Sequence, residues 1–162
     1  MKTHFPLAWL LAGAVLAGCK PHAPAPEVAP AAAASQPAAP VSELASLRGY
    51  LGKYPHEDVS FLEQGVLATR LKALLGPRYP DLLANLRTVG PLSEQDGVLY
   101  ITGNRPHEGG SEAAAVVIDP RQDALRVWLL SGGQASEFQD PGRSVDWPRD
   151  VRVMQENARA PG

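Results

Sequence analysis

The spacing of apolar residues changes character along the chain. Phe5 to Ala17 is an almost unbroken apolar run, the length of a secretory signal core and short for a bilayer span. Lys20 to Val41 carries small apolar residues with no period at all. From Leu44 the pattern becomes that of a packed domain. Leu44–Pro55 is an irregular apolar segment. Ser60 with Glu63 reads as a capping box. Leu62, Val66, Leu67, Leu71, Leu74 and Leu75 then follow at helical spacing, with Arg70 at the edge of the apolar side, until Gly76-Pro77 stops the run. Tyr79–Leu86 reads as a second, shorter helix with Pro80 in its first turn.

Beyond Leu86 the period shortens. Thr88–Ser93 and Val98–Gly103 are strand candidates flanking the turn signal Gln95-Asp96-Gly97. Ala113–Asp119 is a short run of buried type, and Ala124–Leu130 alternates and is rich in β-formers; Pro120 to Asp123 joins them as a hairpin. Gly132-Gly133 is another turn, with Gln134–Phe138 a fifth strand candidate, and Pro148 opens a final helix to Ala158. Trp128 and Trp147 read as packing residues of the sheet and of the last helix. Consecutive hairpins with segregated helices predict an α+β fold: a central antiparallel sheet of four to five strands carrying two N-terminal helices and one C-terminal helix. The predicted domain, residues 44–158, has about 115 residues, enough for one core; 159–162 is a tail.

The N-terminal segments are of another kind. Leu16-Ala17-Gly18-Cys19 resembles the lipobox of bacterial lipoproteins. That resemblance implies a signal peptide over residues 1–18, cleavage before Cys19, and lipidation of Cys19, the only cysteine of the chain. Multiple acyl chains anchor stably, each buried methylene contributing about 0.8 kcal/mol. Lys20 after the cysteine favours the periplasmic face of the outer membrane over the inner membrane. Residues 19–43 then form a tether. Six prolines and nine alanines among the 22 residues from Lys20 to Val41 exclude a continuous helix and favour polyproline II, which reaches on the order of 65 Å.

Charge and motifs exclude several functions. Fifteen Lys+Arg against 17 Asp+Glu give a formal charge of −2, which is not the footprint of a nucleic-acid binder. A single cysteine excludes an intrachain disulfide or a zinc ribbon. GxSxG, P-loop, GxGxxG and HExxH motifs are absent. Ser111, His107 and Asp119 form no recognised catalytic pattern, and His56, His107 and the acids have no metal-ligand spacing. No cofactor and no enzymatic activity are expected. His56 reads as a surface or capping residue.

The informative stretch is Gly103 to Glu112, GNRPHEGGSE, which links two strand candidates and is too long for a tight hairpin. Pro106 stiffens it, and Gly109-Gly110 are expected to permit the reversal. Arg105, His107 and Glu108 would stand at its tip, suited to insertion into a partner's cleft.

Together with Tyr50–Pro55, Arg70–Gly76, Tyr79, Ala115–Asp119 and Trp147-Pro148, this stretch resembles the inhibitor of vertebrate lysozyme family, over residues 47–158. In that family the loop reads G-C-K-P-H-D-C-G, its cysteines form a disulfide, and its His enters the active site of c-type lysozyme. The resemblance implies that Arg105, Pro106, His107 and Glu108 are the partner-binding residues. It also places Asn104 and Gly109 at the cysteine positions, so no bridge cinches this loop. Losing such a constraint raises the cost of binding, by roughly 2–3 kcal/mol or about 30- to 150-fold in affinity. The implied partner is a lysozyme-type muramidase or a lytic transglycosylase, with its catalytic carboxyl pair in a cleft. A histidine between those carboxyls can donate from both nitrogens when protonated. The missing cysteines keep a second reading open: an envelope lipoprotein of the same fold that serves as a binding or assembly module without inhibiting lysozyme.

Overall fold

The computed structural model describes residues 42–57 and 59–159; the signal segment, Cys19 and the tether as far as Val41 lie outside the described residues. The first described segment is regular where the sequence pattern suggests irregularity. Leu44 and Leu47 are buried three residues apart, which is the repeat of a 3-10 helix, and Glu43–Tyr50 is such a run. The Ser42 hydroxyl caps it by accepting from the Leu44 N–H at 3.1 Å.

Helix α1 spans Gly65–Leu75 and buries Leu67, Ala68, Leu71 and Leu75. It begins later than the predicted capping box. The Ser60 carbonyl, not its side chain, accepts from the Glu63 and Gln64 N–H groups, which makes a turn. Phe61 and Leu62 are buried by that turn, so their apolar spacing mimics a helix they do not join. Helix α2, Tyr79–Asn85, follows a 3-10 turn over Gly76–Arg78. The Tyr79 hydroxyl fastens it to the earlier turn by donating to the Leu62 carbonyl at 2.6 Å.

The sheet has six antiparallel strands: β1 Thr88–Val89, β2 Ser93–Gln95, β3 Val98–Asn104, β4 Ala113–Asp119, β5 Ala124–Ser131 and β6 Gln134–Gln139. Its order is β1-β3-β4-β5-β6, with β2 also paired to β3. The predicted strand over 88–93 is thus two short strands on one edge. Val89 faces Gly103 while Ser93 faces Tyr100, so Gly90-Pro91-Leu92 oppose only Ile101-Thr102, one residue too many. Pro91 cannot donate to the ladder, and the chain bulges there. Gly103 is needed at this edge: a Cβ on it would lie 2.6 Å from the Thr88 carbonyl oxygen.

Every residue of β4 is buried because both faces of the sheet are covered. Ala114, Val116 and Ile118, with Leu125, Val127 and Leu129 of β5, pack against α1, α2 and the 3-10 run. Ala113, Ala115 and Val117, with Trp128 and Leu130, pack on the other face against Val151 of helix α3, Arg149–Arg159, with Trp147, Met154 and Ala158 alongside. Trp147 also lies under the Arg126 guanidinium, 4.0 Å from its ring centre. Arg70 sits at the edge of α1's apolar face, where it pairs with Asp123 at 3.0 Å and Asp140 at 2.7 Å. No helix among the described residues is long and apolar enough to cross a membrane.

Candidate functional site

The long link between β3 and β4 continues their ladder by one pair, Arg105 N–H donating to the Glu112 carbonyl at 3.0 Å. Inside that closure the chain turns tightly. The Glu108 N–H donates to the Arg105 carbonyl at 3.1 Å, and the Ser111 and Glu112 N–H groups both donate to the Glu108 carbonyl, at 2.9 and 2.8 Å. Pro106, His107, Glu108, Gly109 and Gly110 are exposed at its apex. The left-handed residue is His107, at φ 64°, and neither Gly109 nor Gly110 has a positive φ. The reversal expected of the glycines is therefore made by the histidine, at a cost of about 1 kcal/mol relative to glycine there.

A non-glycine residue stays left-handed only where its surroundings over-determine it, and the base of the loop supplies that. Asn85, the last residue of α2, is fully buried. Its amide donates to the carbonyls of Leu130 at 2.7 Å and Ala113 at 3.3 Å. Its oxygen accepts from Arg105 Nη2 at 3.1 Å. The same nitrogen lies 3.2 Å from Glu112 Oε2, close enough for charge pairing but not aligned as a hydrogen bond. Glu112 Oε1 accepts from the Gly132 N–H at 2.7 Å, and the Gly133 N–H donates to the Ser111 carbonyl at 3.0 Å. The Gly132 N–H holds the Glu112 carboxyl below its ordinary pKa against the upward pull of burial, helped by Asn85, Arg105 and Ser131. Arg105, Asn85 and Glu112 thus lock one helix end, the loop and the β5–β6 turn together.

The predicted partner-binding residues separate into two groups. Pro106, His107 and Glu108 stand at the exposed apex. Arg105 lies at the base rather than the tip, its side chain spent on Asn85 and Glu112 and 3.7 Å from Glu108 Oε2. Cys19 lies outside the described residues. Ser111, His107 and Asp119 do not assemble: Asp119 ends β4, away from the loop, with Arg121 and Gln122 bound to its carboxylate. His56 does cap a helix, but at a C-terminus, its Nε2 lying 3.1 Å from the Leu86 carbonyl after α2. No group of three His, Cys, Asp or Glu side chains among the described residues is placed to hold a metal ion. Asn85 and Glu112 escape sequence reasoning. Their only signal is a polar residue inside the apolar run Leu82–Leu86 and an acid directly before a fully buried strand.

The two positions that flank the apex face each other. A Cβ built on Gly109 lies 3.6 Å from the Asn104 Cβ and 3.2 Å from its Nδ2. That spacing is within the range of about 3.5–4.5 Å that a disulfide bridges. Here the pair is closed without sulfur, and the Asn104 amide donates to the Arg105 carbonyl at 2.9 Å.

The family model described as inhibitor of vertebrate lysozyme (Ivy) matches residues 66–161, which takes in α1 from its second residue, α2, the whole sheet, the loop and α3. The chain belongs to the Ivy family. No curated protein and no solved structure matches it. Ivy proteins are inhibitors of lysozyme rather than enzymes, which makes the relevant partner a lysozyme.

Proposed function

We propose that this Ivy-family domain inhibits c-type lysozyme, or a related lytic transglycosylase, by inserting the Pro106-His107 apex into the cleft that holds the catalytic carboxyl pair. The observation that carries this reading is His107 itself: exposed, at φ 64°, on a loop whose base is locked by a buried polar network. A strained residue kept at an exposed apex is the pattern of a preorganised contact. The imidazole offers two nitrogens to two carboxyls, and Pro106 fixes the approach. Glu108 would be repelled by an acidic cleft, but Arg105 Nη1 lies 3.7 Å away and offsets its charge within the loop. From Ser42 onward the chain has 13 basic and 16 acidic residues, the full counts of 15 and 17 less Lys2, Lys20 and Glu27. That net negative charge favours the basic lysozymes of animals.

The domain works from a membrane in this proposal. Cys19 carries the lipid, and the Ala/Pro tether holds the domain off the periplasmic face of the outer membrane, where an invading lysozyme meets it. Titrating the chain into c-type lysozyme and following lysis of peptidoglycan tests the inhibitory half; inhibition by the wild type that His107→Ala loses supports it. Absence of inhibition at micromolar protein would favour the binding or assembly module, the reading that the missing loop cysteines support. Labelling with palmitate, lost in Cys19→Ser, tests the anchor.

A further inference from the structure

The loop alone is too small to make a stable complex. A standard protein interface engages roughly 20–30 residues a side, and the exposed apex runs only from Pro106 to Gly110. The partner must also rest on surface beside the loop. On one flank stands the β5–β6 turn Gly132-Gly133, which presents no side chains. On the other stands one face of α3. Val153 there is 44% exposed, one of three large apolar residues left open among those described, and the other two, Leu51 and Tyr54, lie in the segment after the 3-10 run.

Between α3 and the loop runs a groove of about 310 Å³, walled by Gly109 and Gly110 on one side and by Val153, Met154 and Asn157 on the other, with Trp128 in its floor. Gly110 has no atom within 4 Å of where its Cβ would stand, so the wall on the loop side is open backbone. The charged group at the far end is Asp150, whose Oδ2 accepts from the Tyr100 hydroxyl at 2.8 Å. Between Asp150 and Asn157 the helix wall offers the apolar side chains of Val153 and Met154, and this strip faces Gly109-Gly110 beside the apex.

Resting on the inhibitory reading above, we infer that this groove is the second half of the inhibitor's interface. When His107 enters the catalytic cleft, an apolar side chain on the lip of the muramidase seats between Gly109-Gly110 and Val153. Val153 and Asn157 would then decide which muramidases bind, while His107 addresses the carboxyl pair common to them.

The test measures affinity of the full chain, purified in detergent, for c-type lysozyme by calorimetry, with thermal melts beside it. Val153→Arg and Asn157→Arg, both at exposed helix positions, should keep the wild-type melting temperature and weaken binding tenfold or more. If His107→Ala weakens binding and neither α3 variant does, α3 lies outside the interface and this inference falls while the loop reading stands. If His107→Ala binds like wild type, the loop reading falls and takes this inference with it.

Discussion

Replacing Asn104 and Gly109 together by cysteine should staple the loop across its base. A Cβ on Gly109 stands 3.6 Å from the Asn104 Cβ, and Gly109 has no positive φ, so the pair lies at a spacing that a disulfide spans. Closing a loop this short removes about 2 kcal/mol of chain entropy from the unfolded state. Losing the hydrogen bond from the Asn104 amide to the Arg105 carbonyl returns about 1 kcal/mol. The oxidised protein should therefore melt roughly 6–8 °C above its own reduced form, and only a few degrees above wild type. The assay is a thermal melt with and without reductant, with thiols counted in a chain that also carries Cys19→Ser so that no third thiol competes. Because Asn85, Arg105 and Glu112 already order the loop, oxidation should improve lysozyme affinity by less than about tenfold. Two free thiols after oxidation, or a lower melting temperature in the oxidised form, would refute the facing geometry. A gain above about 100-fold would refute the polar lock, since it would mean that the loop is ordered only by the bridge.

Asn85→Ala leaves the Leu130 and Ala113 carbonyls and the Arg105 guanidinium short of a partner in a buried site; it should cost about 2–3 kcal/mol in denaturant unfolding and weaken inhibition too, and unchanged inhibition would mean that the lock does not order the apex. His107→Gly relieves the left-handed backbone, so it should leave stability unchanged or raise it by up to about 1 kcal/mol while abolishing inhibition; parallel loss of both would make the histidine a packing residue. Burial pushes the Asp119 carboxyl up, but hydrogen bonds from Arg121 and Gln122 more than reverse this and bring it from 3.8 to about 2. A carboxyl depressed on folding stabilises above its unfolded pKa, so about 2 kcal/mol should drain away as pH falls from about 4 to 2. Asp119→Asn should flatten that part of the stability profile, though Glu112 and Asp123, also held low, keep some slope; a profile parallel to wild type would contradict the assignment.

How far the sequence foretold this structure depended on how local each cause was. The β5–β6 turn was legible because Gly132-Gly133 allows the positive φ at both positions that such a hairpin needs. Strands β4 and β5 and helix α3 were legible from periodicity and from Pro148. The start of α1 was misread because Leu62 falls at helical spacing with Val66 while serving a turn, and Ser60 accepts from the Glu63 and Gln64 N–H groups through its backbone carbonyl instead of its side chain. The edge strand was misread as continuous because a one-residue mismatch with β3 cannot be seen until the partner is known. The site divides the same way. Pro106-His107 was visible as a motif within a loop of unusual length. The lock beneath it joins Asn85, Arg105 and Glu112 from separate elements, and no spacing along the chain encodes that meeting. The lock also sets the Arg105 side chain on Asn85 and Glu112 at the base of the loop, where the sequence had placed it at the tip.

The most direct test of the account titrates the wild-type chain and its His107→Ala and Glu108→Ala variants into c-type lysozyme and records the residual rate of peptidoglycan lysis. The account predicts inhibition by the wild type, near-wild-type inhibition by Glu108→Ala, and a loss of 30-fold or more in His107→Ala, about 2 kcal/mol of binding. Inhibition that survives intact in His107→Ala, or no inhibition by the wild type at all, would contradict it.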